Sequence, residues 1–476
     1  MTLDADTCFR AAAARDARFD GLFFIGVHST GIYCRPICPA PPALRRNCTI
    51  YPSAAAAERD HLRPCLRCRP ELAPGCARID SAPRLAADSV SLIEDGALSE
   101  LNVRQLAARL GVSERHLRRV VRTEFGVSPV ELAQTHRLLT AKRLLTDTAL
   151  PLSEVAFASG FASLRRFNAL FAERYRLAPG ELRRSRAAAM APPSLTCDLA
   201  YRPPLDWQSL LGWMRRRAIA GVEVVSAARY ERTLRHGPHS GWLTVEHLPE
   251  RHLIRAQLSA SLAPALVAIT AQIKRAFDVG ANPAAISETL GRLAAPHPGL
   301  RIPGAFDGFE TSVRAILGQQ VSVPAASTLM NRTVCAFGTG IETGRAGLEW
   351  LTPKADAVAA APQEQLHALG ITPARARCIQ SLARAAASGA VDLSPGGDVE
   401  RKIAGLMQLS GIGAWTANTI AMRVYGWPDA FPHTDLGITK ALGTRNPAEV
   451  LRTAETWRPW RAYAAMHLWK SQEVVR

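Results

Sequence analysis

Hydrophobic and polar positions along the 476-residue chain follow different rules in different stretches. From Arg84 to about Arg186, apolar residues recur at three- and four-residue spacing, which predicts helices throughout, with starts marked by Ser113, Ser153 and Ser163. Between Leu195 and about Pro298, β-like runs at Gly221 to Arg232, Trp242 to Glu246 and Leu253 to Leu258 alternate with helical stretches at Trp207 to Arg217 and Pro264 to Phe277. That is the pattern of a small antiparallel α+β layer. From Phe306 onward every strongly periodic segment is helical and punctuated by Gly and Pro, so the last domain is expected to be all-α. Ala187 to Ser194, with two prolines and four alanines, reads as a linker.

The first 78 or so residues have no sustained period but hold seven of the ten cysteines and many prolines, the composition of a small metal-stapled module. The fold class expected is therefore multidomain, mainly α with α+β parts. Its four domains are a cysteine-rich module over 1–78, a helical bundle over 84–186, an α+β domain over 195–300 and an all-α domain over 301–476. A net charge of +17 adds a polyanionic partner, because each Lys or Arg set on a phosphate releases a condensed counterion. No apolar run reaches the length of a membrane span, and Thr2 to Asp20 lacks the layout of a signal peptide, so a cytoplasmic protein with no membrane partner is expected.

Cys34 and Cys38 are followed 27 residues later by Cys65 and Cys68, spacings that can set four thiolates around one zinc ion. On spacing alone the site could simply hold a small domain together. The surrounding words, Thr30-Gly31-Ile32-Tyr33-Cys34-Arg35-Pro36-Ile37-Cys38 and Arg63-Pro64-Cys65-Leu66-Arg67-Cys68, with Asp20-Gly21 upstream, resemble the Ada N-terminal domain. That resemblance implies that Cys34 is both a zinc ligand and the acceptor of a methyl group from a DNA methylphosphotriester, with Arg63 at the DNA. Zinc keeps a thiol deprotonated, and methyl transfer needs a thiolate. Methylating Cys34 would remove one negative charge and favour DNA binding. Cys8, Cys48 and Cys76 fit no ligand spacing and read as ordinary thiols.

Val103 to Gly126 reads as helix, turn, helix, with Gly111 at the turn and Ser113 capping a helix that carries Arg115, His116, Arg118, Arg119 and Arg122. A second copy runs from Leu152 through Gly160-Phe161 to Phe171, with Arg165, Arg166 and Asn168 on its second helix. Two such units resemble the AraC-type regulator domain, which implies that Arg115, Arg118, Arg119, Arg165 and Arg166 face DNA and that the phenylalanines are core.

Leu406 to Ala417 has the form of a helix, a Gly411-Ile412-Gly413 hairpin and a second helix, whose amide groups can face a phosphate if the two glycines adopt angles other residues resist. Asp435 follows Gly413 by 22 residues, in Ala430-Phe431-Pro432-His433-Thr434-Asp435-Leu436-Gly437. By itself it could be a helix cap. Together the two resemble the HhH-GPD glycosylases, and Phe309 to Val323, Trp457 to Trp469, Asp206-Trp207 to Ala218 and Ser259 to Asn282 extend the likeness to the AlkA-type 3-methyladenine glycosylases over about 195–473. The resemblance implies that Asp435 is the catalytic carboxylate, that Trp415 and Trp469 line the base pocket, that Gly411 and Gly413 meet DNA, and that a monovalent cation sits at the hairpin carbonyls. Two positions depart from the pattern: Thr419 stands where the family has a pocket tyrosine, and Gln320 stands at the intercalating leucine, where it is expected to contact DNA. Trp415 also occupies the place of the Schiff-base lysine of bifunctional relatives, so no strand-cleaving lyase step is expected. Lys440, nearby, reads as a phosphate contact or a solvated charge. No Cys follows Cys378, which excludes the C-terminal iron–sulfur cluster of the endonuclease-like branch, and the Pro-Cys-His-Arg word of alkylguanine methyltransferases is absent.

These features favour a DNA repair enzyme over two rivals, one of which, a zinc-stabilised structural scaffold, explains the charge but not the motifs. The favoured reading is a base-excision glycosylase releasing alkylated bases such as 3-methyladenine, fused to a zinc-thiolate methyltransferase sensor and transcription activator. The alternative is a DNA-binding regulator of the alkylation response whose glycosylase-like half is inactive. Expected partners are double-stranded DNA with alkylation damage, promoter DNA and RNA polymerase; the expected inorganic cofactors are one zinc ion at Cys34, Cys38, Cys65 and Cys68 and the hairpin cation.

Overall fold

A computed structural model describes residues 4–75, 84–94, 96–148, 150–184 and 194–474. The linker expected at Ala187 to Ser194 lies outside the described residues apart from Ser194, as does Cys76.

The N-terminal module sets helices α1 (Ala5–Ala13) and α2 (Ala54–Arg59) around a four-stranded sheet of β1 (Phe24–Val27), β2 (Ile32–Cys34), β3 (Cys48–Tyr51) and β4 (Arg63–Pro64), in the order β3-β1-β2-β4. The β2–β4 pair is parallel, with Tyr33 opposite Pro64, and the Cys65 amide donates to the Tyr33 carbonyl at 3.0 Å. This register brings Cys34 alongside Cys65 although 31 residues separate them.

Among the described residues eight helices follow: α3 (Arg84–Glu94), α4 (Ala97–Glu100), α5 (Val103–Arg109), α6 (Glu114–Phe125), α7 (Pro129–Asp147), α8 (Leu152–Ala158), α9 (Leu164–Tyr175) and α10 (Pro179–Arg184). Ser113 and Ser163 cap α6 and α9 as their sequence contexts require, accepting from the His116 and Arg166 amides at 3.2 Å. Ser153 does not start a helix. Pro151 occupies the N-cap of α8, so Ser153 lies one residue inside the helix. Gly111 and Gly160 make the two turns at φ +72° and +84°, where a Cβ would be strained. Phe161, Phe167 and Phe171 are buried, as expected for core. α7 is buried on faces toward both neighbours; its adjacent cations Lys142 and Arg143 reach Glu71 of the N-terminal module and the Asp198 carbonyl of the next domain.

The α+β part is an antiparallel sheet of β5 (Ser194–Ala200), β6 (Glu223–Val225), β7 (Arg229–His236), β8 (His239–Leu248) and β9 (Leu253–Ser259), ordered β5-β9-β8-β7-β6, flanked by α11 (Trp207–Arg215), α12 (Leu266–Ala276) and α13 (Pro283–Leu290). The single run expected at Gly221 to Arg232 is two strands. Ser226 breaks it by accepting from the Ala228 and Arg229 amides at 3.2 and 3.1 Å. The helix expected from Pro264 likewise begins at Leu266, after a 3-10 turn over Ala260–Ala265 that contains the proline.

The last part holds α14 (Gly308–Leu317), α15 (Val323–Phe337), α16 (Ala355–Ala360), α17 (Gln363–Ala368), α18 (Pro373–Ala387), α19 (Val399–Met407), α20 (Ala414–Arg423), α21 (Leu436–Ala441), α22 (Pro447–Glu455) and α23 (Arg461–Val474). It is not purely helical: β10 (Thr339–Gly340) and β11 (Trp350–Leu351) pair antiparallel. One apolar core runs without interruption from α7, α8 and α9 through the sheet into the last helices. The segments read from sequence as separate domains thus share buried surface. Among the described residues no helix is long and apolar enough to cross a membrane.

Candidate functional site

The hairpin between α19 and α20 begins where the α19 pattern ends. Gly411 turns the chain at φ +89°, and a Cβ there would lie 2.9 Å from Cys378 Cβ, so glycine is needed for both angle and space. Gly413 differs from the expectation that both glycines hold unusual angles: it caps α20 in ordinary extended geometry, φ −92°, with nothing near its missing Cβ. Both glycines are exposed. The free α20 amides therefore open onto unobstructed surface, the arrangement that receives a phosphate oxygen.

Asp435 caps α21, but capping uses only one of its oxygens. Oδ1 accepts from the Gly437 and Ile438 amides at 2.8 and 3.2 Å and from the Trp469 indole N–H at 2.8 Å. Oδ2 accepts from the Trp415 indole N–H at 2.8 Å. The structure thus gathers Asp435, Trp415 and Trp469 into one half-buried constellation. Trp415 is presented by the first turn of α20, and Trp469 by α23, whose start is fixed by the buried Arg461–Asp429 pair at 2.7 and 2.8 Å. Thr419, one turn beyond Trp415, donates to the Trp415 carbonyl at 2.8 Å.

Gln320 stands exposed on the loop between α14 and α15 with a left-handed backbone, φ +53°. The residue that secures this loop is its neighbour Gln319, which the sequence reading passed over. Its Nε2 donates to the Gly411 carbonyl and to Thr416 Oγ1, both at 2.9 Å, joining the Gln320 loop to the hairpin. Lys440 is exposed.

Far along the chain, the Sγ atoms of Cys34, Cys38, Cys65 and Cys68 lie within 4.8 Å of one another. Four sulfurs about 2.3 Å from a common zinc stand roughly 3.8 Å apart, so the donor set suits a tetrahedral ion. Two amides already point at sulfur, Arg35 N–H to Cys68 at 3.3 Å and Arg67 N–H to Cys65 at 3.4 Å, a pattern suited to thiolates. Cys65 and Cys68 are buried, whereas Cys34 and Cys38 are partly exposed. Among the described residues neither Cys8 nor Cys48 belongs to the cluster, and burial pushes the Cys8 thiol up to about 11. Arg63, partly exposed, lies in β4 two residues before Cys65.

The arginine-bearing faces of α6 and α9 are open: Arg115, Arg118, Arg119, Arg165 and Arg166 are all exposed. Arg118 is held along its helix by Glu114 at 2.8 Å. Both helices end against the cysteine module, where Ser53 Oγ donates to the Phe125 carbonyl at 2.8 Å and Arg174 to the Glu58 carbonyl at 3.1 Å. Glu58, buried between Tyr33 and Thr135 hydroxyls at 3.0 and 2.8 Å, has its carboxyl raised to about 7 by desolvation.

Four family models match in chain order: the metal binding domain of Ada over residues 7–71, a helix-turn-helix domain over 106–185, the AlkA N-terminal domain over 196–307, and the HhH-GPD superfamily base excision DNA repair protein over 313–455. The C-terminal half is 39% identical to DNA-3-methyladenine glycosylase 2 of Escherichia coli (strain K12), over 58% of this chain and 96% of that one. A solved 3-methyladenine DNA-glycosylase from Archaeoglobus fulgidus shares the fold, with a TM-score of 0.51 at 20% identity over 58% of this chain and 98% of that chain. The likeness also spans all four parts at once, in the protein of Mycobacterium tuberculosis (strain H37Rv) named "Probable bifunctional transcriptional activator/DNA repair enzyme AlkA". At 37% identity across 99% of this chain and 97% of that relative, the protein belongs to the AlkA family of bifunctional transcriptional activator/DNA repair enzymes.

Proposed function

We propose that the chain is a DNA alkylation repair and response protein: a monofunctional glycosylase that hydrolyses the N-glycosidic bond of alkylated bases such as 3-methyladenine, joined to a methylphosphotriester sensor and a transcription activator. The observation that carries this reading is the Asp435 carboxylate, held by two indole N–H groups at 2.8 Å with one oxygen left over from helix capping.

A base inside a duplex is shielded by stacking, so the damaged nucleotide must first be extruded at a cost of about a few kcal/mol. A cationic alkylpurine then gains from electron-rich aromatic faces, roughly 1–2 kcal/mol in a desolvated pocket, and Trp415 and Trp469 supply them. Such a base leaves readily, so the protein's task is to stabilise the sugar. As the glycosidic bond breaks, its electron pair leaves with the base and positive charge grows on the sugar, facing the fixed negative charge of Asp435. Water then bonds to the sugar carbon, and its proton passes to the Asp435 carboxylate and from there to solvent. Gly411 and Gly413 seat the DNA backbone on the α20 amides, and Gln320 meets the duplex beside them. A monovalent cation at the hairpin stays part of the proposal, but the Gly411 carbonyl already accepts from Gln319 and the Leu409 carbonyl from the Ile412 amide, so no step is assigned to it.

In the sensor, Cys34, Cys38, Cys65 and Cys68 would hold zinc, which when bound keeps their sulfurs deprotonated. Cys34, partly exposed, attacks the methyl carbon of a phosphotriester: the S–C bond forms, the O–C bond breaks, and the phosphodiester anion departs. Arg63 and the exposed arginines of α6 and α9 meet DNA phosphates and promoter base edges. We place these activities in the cytoplasm, with alkylated duplex DNA, promoter DNA and RNA polymerase as partners and domains at 1–78, 84–186, 195–300 and 301–476.

The product distinguishes this reading. Incubated with alkylated duplex DNA, the full chain should release free base and leave an intact strand carrying an abasic site. Strand scission by the purified protein would overturn the monofunctional assignment, and release of no base from several alkylated substrates would leave a regulator with an inactive glycosylase-like half.

A further inference from the structure

Arg202 is 0% exposed, wedged between the cysteine module and the glycosylase half. A guanidinium withdrawn from water is tolerated only when its donors are met, and these are met from both sides. Nε donates to the Asp20 carbonyl at 3.0 Å and Nη2 to the Gly75 carbonyl, both in the N-terminal module. Nη1 donates to the Gly280 carbonyl at 2.7 Å and the Ala281 carbonyl at 3.4 Å, in the glycosylase half. The Arg301 guanidinium, also 0% exposed, fixes this segment by donating to the Arg202 and Pro204 carbonyls at 2.7 and 3.1 Å.

Each end of this clamp continues into a site. On the sensor side, the buried Asp20 carboxylate receives the Arg35 guanidinium, with Nε at 2.8 Å, and Arg35 follows Cys34 directly, donates its amide to Cys68 Sγ and its Nη1 to the Cys68 carbonyl at 3.0 Å. On the other side, Asp278 precedes Gly280 by two residues; its Oδ2 accepts from Tyr463 of α23 at 2.8 Å, and α23 carries Trp469. Residues belonging to two matched domains are thus joined, from the thiol cluster to the helix beside Asp435, by buried and part-buried polar contacts and by the two residues of backbone between Asp278 and Gly280.

We propose that the cysteine cluster and α23 are thermodynamically coupled through Arg202, so that metal held by the four sulfurs stabilises the docked glycosylase half. A ligand that binds one arrangement of a protein more tightly than another shifts the balance between them, and the influence is reciprocal. Zinc requires the four sulfurs in register; that register fixes Arg35 and Asp20, and with them the carbonyl that Arg202 grips. Losing the metal releases the grip, and α23 opens more often.

The test is amide hydrogen exchange in the full-length chain, followed in α23, with zinc ion or with a chelator, for the parent, Arg202→Met and Arg202→Lys. Chelation should speed α23 exchange in the parent about tenfold or more, the scale on which a tight ligand protects the state it binds. In Arg202→Met, α23 should exchange at one rate with or without zinc, and Arg202→Lys, which can reach fewer carbonyls, should fall between. An α23 rate indifferent to zinc in the parent, or a full zinc response retained in Arg202→Met, would overturn the coupling. Should Arg202→Met fail to fold, Asp20→Ala removes both acceptors of the Arg35 guanidinium while keeping the backbone carbonyl for Arg202, and the same two outcomes decide. The readout requires no base release, so it stands apart from the catalytic role of Asp435.

Discussion

Replacing Trp469 by Phe keeps an aromatic ring at the proposed base pocket but deletes the N–H that reaches Asp435 Oδ1 at 2.8 Å. Hydrogen bonds to charged groups contribute about 1.5–3 kcal/mol. Oδ1 keeps the Gly437 and Ile438 amides, so the lower end applies, about 1.5 kcal/mol or roughly a tenfold fall in the rate of base release. Trp415→Phe removes the indole N–H from Oδ2, the oxygen that carries no capping amide, and should fall further, toward about a hundredfold. Both rings remain, so the concentration for half-saturation should move little. The assay is single-turnover release of 3-methyladenine from alkylated duplex DNA at increasing protein concentration. Variants that bind more weakly but reach the parent's maximal rate would show that the indoles act only as stacking faces. So would a larger loss in Trp469→Phe than in Trp415→Phe contradict the division of labour between the two oxygens.

Other consequences follow from single positions. Glu58 has its carboxyl raised to about 7 from an ordinary 4.5, so between those values the folded state binds the extra proton and stability falls as pH rises, by about 3 kcal/mol overall; Glu58→Gln, keeping an acceptor near Tyr33, Thr135 and Tyr175 without the charge beside Arg174, should flatten that slope in urea titrations from pH 4.5 to 7.5. Gly411→Ala must strain its backbone and push on Cys378, costing about 2–3 kcal/mol in thermal unfolding, while Gly413→Ala, with open space around it, should keep its melting temperature and lose DNA affinity instead. Cys34→Ser should take no labelled methyl group from phosphotriester DNA, with Cys8→Ser matching the parent because that thiol is buried.

Much of this architecture was legible because its signals are local. Ser113, Ser163, Gly111 and Gly160 act within four residues of where they stand, and both helix-turn-helix units appeared where these residues placed them. Ser153 misled because Pro151 fixes its own backbone and takes the cap position, and the Gly221 to Arg232 run split because a serine hydroxyl competes for the backbone. Two-residue strands such as β10 and β11 are too short to show alternation. Asp435 could be found by its distance from the hairpin, but its partition between cap and indoles could not, since Trp469 arrives from 34 residues away. Arg202 is the extreme case: among so many arginines nothing local marks one as buried, and its partners lie up to 182 residues distant. The same holds for Gln319, whose role depends on Gly411 and Thr416, 92 and 97 residues on.

The most direct test of the central claim compares the parent with Asp435→Asn. The amide retains the shape and the Oδ1 acceptor for the α21 cap but removes the negative charge from the sugar's side. The variant should fold, bind alkylated duplex DNA as the parent does, and release 3-methyladenine roughly a thousandfold more slowly, the scale of losing a preorganised electrostatic group. Release by Asp435→Asn at the parent's rate would contradict the assignment of Asp435 as the catalytic carboxylate.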